Sequence, residues 1–154
     1  MADRAQNAPA AALLNLLTLM AQLRDPDTGC PWDVQQDFAS IAPYTIEEAY
    51  EVADAVQRGD ADDIRDELGD LLLQVVFQAR IAEEAGLFSL ADVARSISDK
   101  MVDRHPHVFG DDGRPQLADQ SGRWEAIKAE ERARKGHTGT VSYTHLTLPT
   151  KRIV

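Results

Sequence analysis

The chain has 154 residues, 26 Asp and Glu against 16 Lys and Arg, and a formal net charge of −10. That length fits one domain with a single core, and the negative balance excludes a general binder of nucleic-acid backbone, which needs a basic face. The one cysteine, Cys30, allows no internal disulfide and has no second thiol for zinc or redox work, so the expected compartment is a reducing cytoplasm.

Residues 10–23 are apolar, but Asn15, Thr18 and Gln22 interrupt them, and Asp3 stands beside Arg4 where a signal peptide would be positive. Leu13, Leu16, Leu17, Met20 and Leu23 recur at helical spacing, which predicts a core helix too short to span a bilayer. Residues 25–43 read as a loop, because Asp25-Pro26-Asp27, Thr28-Gly29 and Cys30-Pro31 are turn formers in close succession. Trp32 is read as an anchor of that loop. A helix is expected over 45–58, with Thr45-Ile46-Glu47-Glu48 fitting a capping box and Gly59 supplying the left-handed cap. Asp60, Asp62 and Asp63 complement the positive end of the next helix, over 61–84, which Ala85-Gly86 breaks. Ser89 with Asp92 opens a further helix that ends near His105, since Pro106 forbids continuation. A last helical pattern covers 121–135.

No segment sustains two-residue alternation, so the fold class is all-α, a four-helix core packed around the acidic hairpin. The domain is bounded at 9–136. Residues 137–154 are read as a disordered or non-native tail, because Thr and Leu abruptly replace Glu, Ala and Arg within them.

Four carboxylates are symmetric about Gly59: Glu51 and Glu67 each lie eight residues from it, Glu48 and Asp70 eleven. A helical hairpin turning at Gly59 brings both pairs to matching heights, and the members of each pair share a helix face. Such a set of oxygens suits a hard divalent cation, magnesium (Mg2+) first and manganese (Mn2+) as a substitute. The alternative is a solvated acidic face. Against it, Ile64, Leu68, Leu71, Leu72, Val75 and Ala79 form one apolar side of the second helix and Leu73, Phe77 and Ile81 another. Glu67, Asp70, Gln74 and Gln78 occupy the stripe between, with no Lys or Arg, so a helix buried on both sides would need another source of positive charge there. Glu48 alone has a second reading, as the capping-box acid.

Lys100 and Arg104 share a helix face and suit either phosphate oxygens or the negative end of their own helix. His105 and His107 are read as structural, since imidazole matches magnesium poorly. Trp124 suits either a nucleobase or an ordinary core or interface role.

The runs LRDPDTGCPWD at 23–33, PYTIEEAYEVADAV at 43–56, DELGDLLLQVVFQA at 66–79, DKMVDRHPHVFG at 99–110 and RWEAIKAEE at 123–131 appear in that order. Together they resemble the MazG family of nucleoside triphosphate pyrophosphohydrolases, within the all-α NTP pyrophosphatases. The resemblance implies magnesium-dependent hydrolysis of a nucleoside triphosphate to monophosphate and pyrophosphate, with broad base preference if stacking dominates. It implies Glu48, Glu51, Glu67 and Asp70 as metal ligands, and Tyr44, Glu48, Lys100, Arg104 and Trp124 as nucleotide contacts. Glu47 completes EExxE and joins Glu48 as a catalytic candidate, orienting water, accepting its proton or binding a second metal.

A homodimer or higher homo-oligomer is also implied, letting Lys100 or Trp124 serve a neighbour's site; no membrane and no stable nucleic-acid partner is expected. Two departures stand out. Longer members carry a second copy of the module and this copy resembles the first, so the runner-up is a weakly active or non-catalytic nucleotide- or metal-binding regulatory or assembly module. Gln78 stands where histidine is frequent. A di-iron carboxylate bundle ranks far behind, because Glu48 and Glu67 are followed three residues later by Glu51 and Asp70 rather than histidine.

Overall fold

A computed structural model describes residues 8–110, together with residues 129 and 133. The described residues contain six helices and no strand: α1 (Ala8–Leu23), α2 (Pro31–Gln35), α3 (Phe38–Arg58), α4 (Ala61–Glu84), α5 (Leu90–Arg104) and α6 (Pro106–Phe109). The all-α expectation holds. The helical pattern over 121–135 with Trp124, and the boundary before the 137–154 tail, lie outside the described residues. None of the described helices is long and apolar enough to cross a membrane.

The chain divides into two compact units between Ile97 and Ser98. The first is built on the α3–α4 hairpin. Gly59 takes the left-handed conformation at φ 75° and its N–H returns to Ala55 O, ending α3. Asp60 then caps α4 by accepting from the backbone N–H groups of Asp62 and Asp63. With only those two residues between them, the helices are obliged to run antiparallel side by side.

Helix α1 packs across α4, and Met20, Ile41, Val76, Phe77 and Ile81 form the buried core with Leu16, Leu17, Leu73 and Leu90 against it. Arg24, only 7% exposed, ties the loop after α1 into this core. Its guanidinium grips the Glu84 carboxylate at 2.7 Å, donates to the carbonyls of Asp33 and Gln36, and lies 5.3 Å from the Phe77 ring centroid.

Residues 25–43 depart from the loop expectation. Asp25 does close a turn, accepting from Asp27 N, Thr28 N and Thr28 Oγ1, and these bonds, the Thr28 hydroxyl foremost, hold its carboxyl below the usual carboxylate range. Gly29 belongs there because a Cβ would collide with the Leu23 and Asp25 carbonyl oxygens. After Pro31, which fits the first turn of a helix, the chain is helical as α2. Helix α3 then begins at Phe38, seven residues before Thr45, and carries Pro43 inside it.

The capping box belongs to Asp37 and Ser40, whose side chains exchange bonds with each other's backbone N–H at 2.8 and 2.9 Å. Pro43, inside the helix, lacks the N–H that would bond back four residues. Thr45 is therefore not a cap. Its hydroxyl accepts from Gln78 Nε2 of α4 at 2.9 Å.

The expectation that α4 is greasy and buried on two sides holds only in part. Leu73 is half-buried, and Phe77 and Ile81 are buried, but Leu68, Leu72 and Val75 are 49%, 43% and 39% exposed. The reason is reach: the α1 residues in the core meet Val76, Phe77 and Ile81, toward the C-terminal half of α4. Helix α5 opens as expected, with Ser89 and Asp92 exchanging backbone and side-chain bonds. In the second unit, His105 Nδ1 lies 2.7 Å from Met101 O and its ring is 5.6 Å from that of His107.

Candidate metal centre

The hairpin brings one carboxylate oxygen each from Glu48 on α3 and Glu67 and Asp70 on α4 within 4.8 Å of one another. Glu48 and Glu67 are half-buried and Asp70 is exposed, so the group sits at the rim of the helix pair. Glu51, one turn beyond Glu48, stands outside this triad but close enough for its charge to act on both Glu48 and Glu67.

Burial, then the negative charges of Asp70, Glu51 and Glu67, push the Glu48 carboxyl above the usual carboxylate range. Burial and then Glu51 and Asp70 do the same to Glu67, and only Arg58 acts on it in the other direction. Arg58 is itself engaged by Asp54 and Asp63. Arg24, Arg58, Arg65, Arg80 and Arg95 all form their ion pairs with carboxylates outside the triad.

Glu48 Oε2 is buried without a hydrogen-bond partner. A buried carboxylate oxygen in that condition is costly unless a proton or cation meets it. The donor set is all oxygen, anionic and open on one side through Asp70, which fits a hard divalent cation that keeps part of its water.

Other sequence-picked residues are placed less decisively. Glu47 is exposed beside Glu48, outside the triad. Tyr44 is exposed one turn before Glu48, and its ring meets Trp32 edge-on at 6.0 Å. Trp32 also meets Phe77 edge-on at 6.5 Å, as an anchor would. Lys100 and Arg104 are half-buried one turn apart on α5. Two polar residues stand out beyond the candidate set: Thr45, which bonds to Gln78 and does not cap, and Gln74, buried with its Oε1 unpartnered. The signal for Gln74 was its place on the acidic stripe.

Residues 36–109, which span the whole carboxylate hairpin, match the MazG nucleotide pyrophosphohydrolase domain. The chain belongs to the MazG family. Among its MazG relatives, the nucleoside triphosphate pyrophosphohydrolase of Escherichia coli K12 is 54% identical over 134 residues, covering 87% of this chain and 51% of that protein. The nucleoside triphosphate pyrophosphohydrolase/pyrophosphatase MazG of Thermotoga maritima is 47% identical over 120 residues, 78% of this chain and 45% of that protein. The nucleoside triphosphate pyrophosphohydrolase of Mycobacterium tuberculosis is 44% identical over 134 residues, 82% and 40%. The chain thus spans about half the length of the curated relatives it matches. The crystal structure of a mazG-related protein from Thermotoga maritima shares the fold, with a TM-score of 0.60 at 24% identity over 75% of this chain and 97% of that one.

Proposed function

We propose that this MazG-family chain hydrolyses nucleoside triphosphates to the monophosphate and pyrophosphate, using magnesium held by Glu48, Glu51, Glu67 and Asp70. The observation that carries the reading is the triad itself: three carboxylate oxygens within 4.8 Å, one of the three residues bearing a buried, unpartnered oxygen. The relatives' names agree with it.

When bound, magnesium supplies charge neutralisation for the triphosphate and Lewis acidity at phosphorus, with manganese able to replace it. The chain's own residues do the rest. Glu48 orients the centre from α3, and Glu47, exposed beside it, is assigned to orient the attacking water, accept its proton or bind a second metal. Tyr44, on the turn before Glu48, borders the nucleotide. Lys100 and Arg104 are assigned phosphate oxygens by their motif and shared helix face, in this or a neighbouring subunit's site. Trp124 is assigned the base, and stacking tolerates any base, so broad base preference follows.

Self-association as a homodimer or higher homo-oligomer is supported by Leu68, Leu72 and Val75, exposed along one side of α4. A cytoplasmic location, with no nucleic-acid or membrane partner, agrees with a lone half-buried cysteine and a net charge of −10.

The test is pyrophosphate release from a panel of nucleoside triphosphates with magnesium, on the full chain. Product with several bases supports the reading. Nucleotide binding by folded protein without any product overturns the enzyme and leaves the non-catalytic module.

A further inference from the structure

Two buried side-chain atoms lack a hydrogen-bond partner among the described residues, Glu48 Oε2 and Gln74 Oε1. With Glu48 ionised both are acceptors, so neither then satisfies the other.

Their positions are linked by the register of the hairpin. On α4, Glu67, Asp70, Gln74 and Gln78 follow one another at spacings of three, four and four, which keeps them on one stripe. Asp70 meets Glu48 in the carboxylate triad. Gln78, two turns further, donates to Thr45, the residue three before Glu48 on α3. Gln74 lies between Asp70 and Gln78, and is therefore bracketed opposite the turn of α3 that runs from Thr45 to Glu48. It is also the least exposed member of the stripe, at 8%. A glutamine carbonyl buried to that degree and left unpaired is unfavourable in an empty helix interface.

We infer that Gln74 is a further, neutral oxygen donor of the cation centre, its Oε1 facing the cation or a water that the cation carries. This deepens the proposed function and rests on the cation part of it. Hard cations take amide carbonyl oxygens alongside carboxylates, and a neutral donor adds coordination without more repulsion among four acids.

The test measures manganese binding to the full chain without nucleotide, by electron paramagnetic resonance or calorimetry, beside thermal unfolding with and without the ion. Gln74→Met keeps the size and removes the oxygen. It is expected to weaken manganese binding about 10- to 100-fold while leaving the cation-free melting temperature equal or higher. Gln74→Glu restores an oxygen and is expected to restore affinity. Manganese affinity within twofold of the parent in Gln74→Met overturns the inference. So does a lower cation-free melting temperature with unchanged affinity, which would mean that the amide donates to Glu48 in a purely structural pair. A parent chain that binds no manganese overturns both this inference and the cation reading, whereas a loss confined to Gln74→Met in a chain that hydrolyses nothing supports the inference and removes only the catalysis.

Discussion

Arg24 and Glu84, sixty residues apart in the chain, form a two-pronged pair in which Arg24 Nε lies 3.1 and 3.2 Å from the two carboxylate oxygens and Nη2 lies 2.7 Å from one of them. The pair joins the loop after α1 to the end of α4, and through the Asp33 and Gln36 carbonyls it also fixes α2 just before the cap of α3. The Arg24 hydrogen bonds hold the Glu84 carboxyl below the usual carboxylate range, with Arg80 adding to the effect. The sign follows from linkage: a depressed folded pKa contributes stability that is present above the unfolded value of about 4.3. That stability is lost as pH falls through the lower folded value. Arg24→Ala is expected to cost about 3 kcal/mol at pH 7, the lower end for breaking a buried pair, because Glu84 keeps partial access to water. Urea unfolding from pH 7 to pH 3 checks both points; the variant should lose stability less steeply than the parent below about pH 4.5.

Glu67 is expected to behave oppositely. Its carboxyl is pushed up by burial and by Glu51 and Asp70, so its charged form is disfavoured in the fold when no cation is bound. Glu67→Gln removes that repulsion and should raise the melting temperature of the cation-free protein while abolishing the rise that magnesium produces in the parent. A function-bearing group that destabilises its own fold is a familiar trade. A drop in the cation-free melting temperature would show instead that Glu67 is a structural acid.

How much of this was legible in the sequence depends on whether the signal was local. The turn at Gly59 is legible because a glycine followed at once by Asp60, Asp62 and Asp63 marks the end of one helix and the positive end of the next, and the four-carboxylate spacing follows from that turn by arithmetic. The start of α3 is not legible because Thr45-Ile46-Glu47-Glu48 carries a local capping-box pattern, and only the bonds between Asp37 and Ser40 show that the helix is already under way. Arg24 was invisible as a core residue, since its partner lies sixty residues on. Leu68, Leu72 and Val75 have the spacing of a buried face, and periodicity cannot say whether the covering element belongs to the same chain. Gln74 is visible on the stripe, but the burial that makes its unpaired amide oxygen costly is set by tertiary packing and has no local signal.

Asp70→Asn and Glu51→Gln test the ligand set separately. Asp70 is in the triad and Glu51 adjoins it. Losing a group that merely supports a metal ligand costs about 10- to 100-fold, so loss of a ligand should cost at least about 100-fold in magnesium-dependent pyrophosphate release. Far-UV circular dichroism should be unchanged for both, since neither residue caps a helix. If Glu51→Gln retains most activity while Asp70→Asn does not, the centre is the three-residue triad alone. Chelation with EDTA should abolish turnover in the parent and magnesium should restore it.

The exposed side of α4 yields the last prediction. Leu68 and Leu72 are one turn apart and flank Gly69, where an added Cβ would meet nothing within 4 Å. A mid-helix glycine costs about 1 kcal/mol relative to alanine, so in an isolated chain Gly69→Ala should stabilise by about that much. If a second copy lays a helix against this side, the missing Cβ permits close approach and the leucines supply the apolar area. Leu72→Glu should then shift the protein to monomer in sedimentation velocity with its helix content intact, and Gly69→Ala should weaken association even as it favours the helix. A parent that sediments as a monomer at every concentration, with Gly69→Ala simply more stable, would leave that apolar side without a partner and remove self-association from the proposed function.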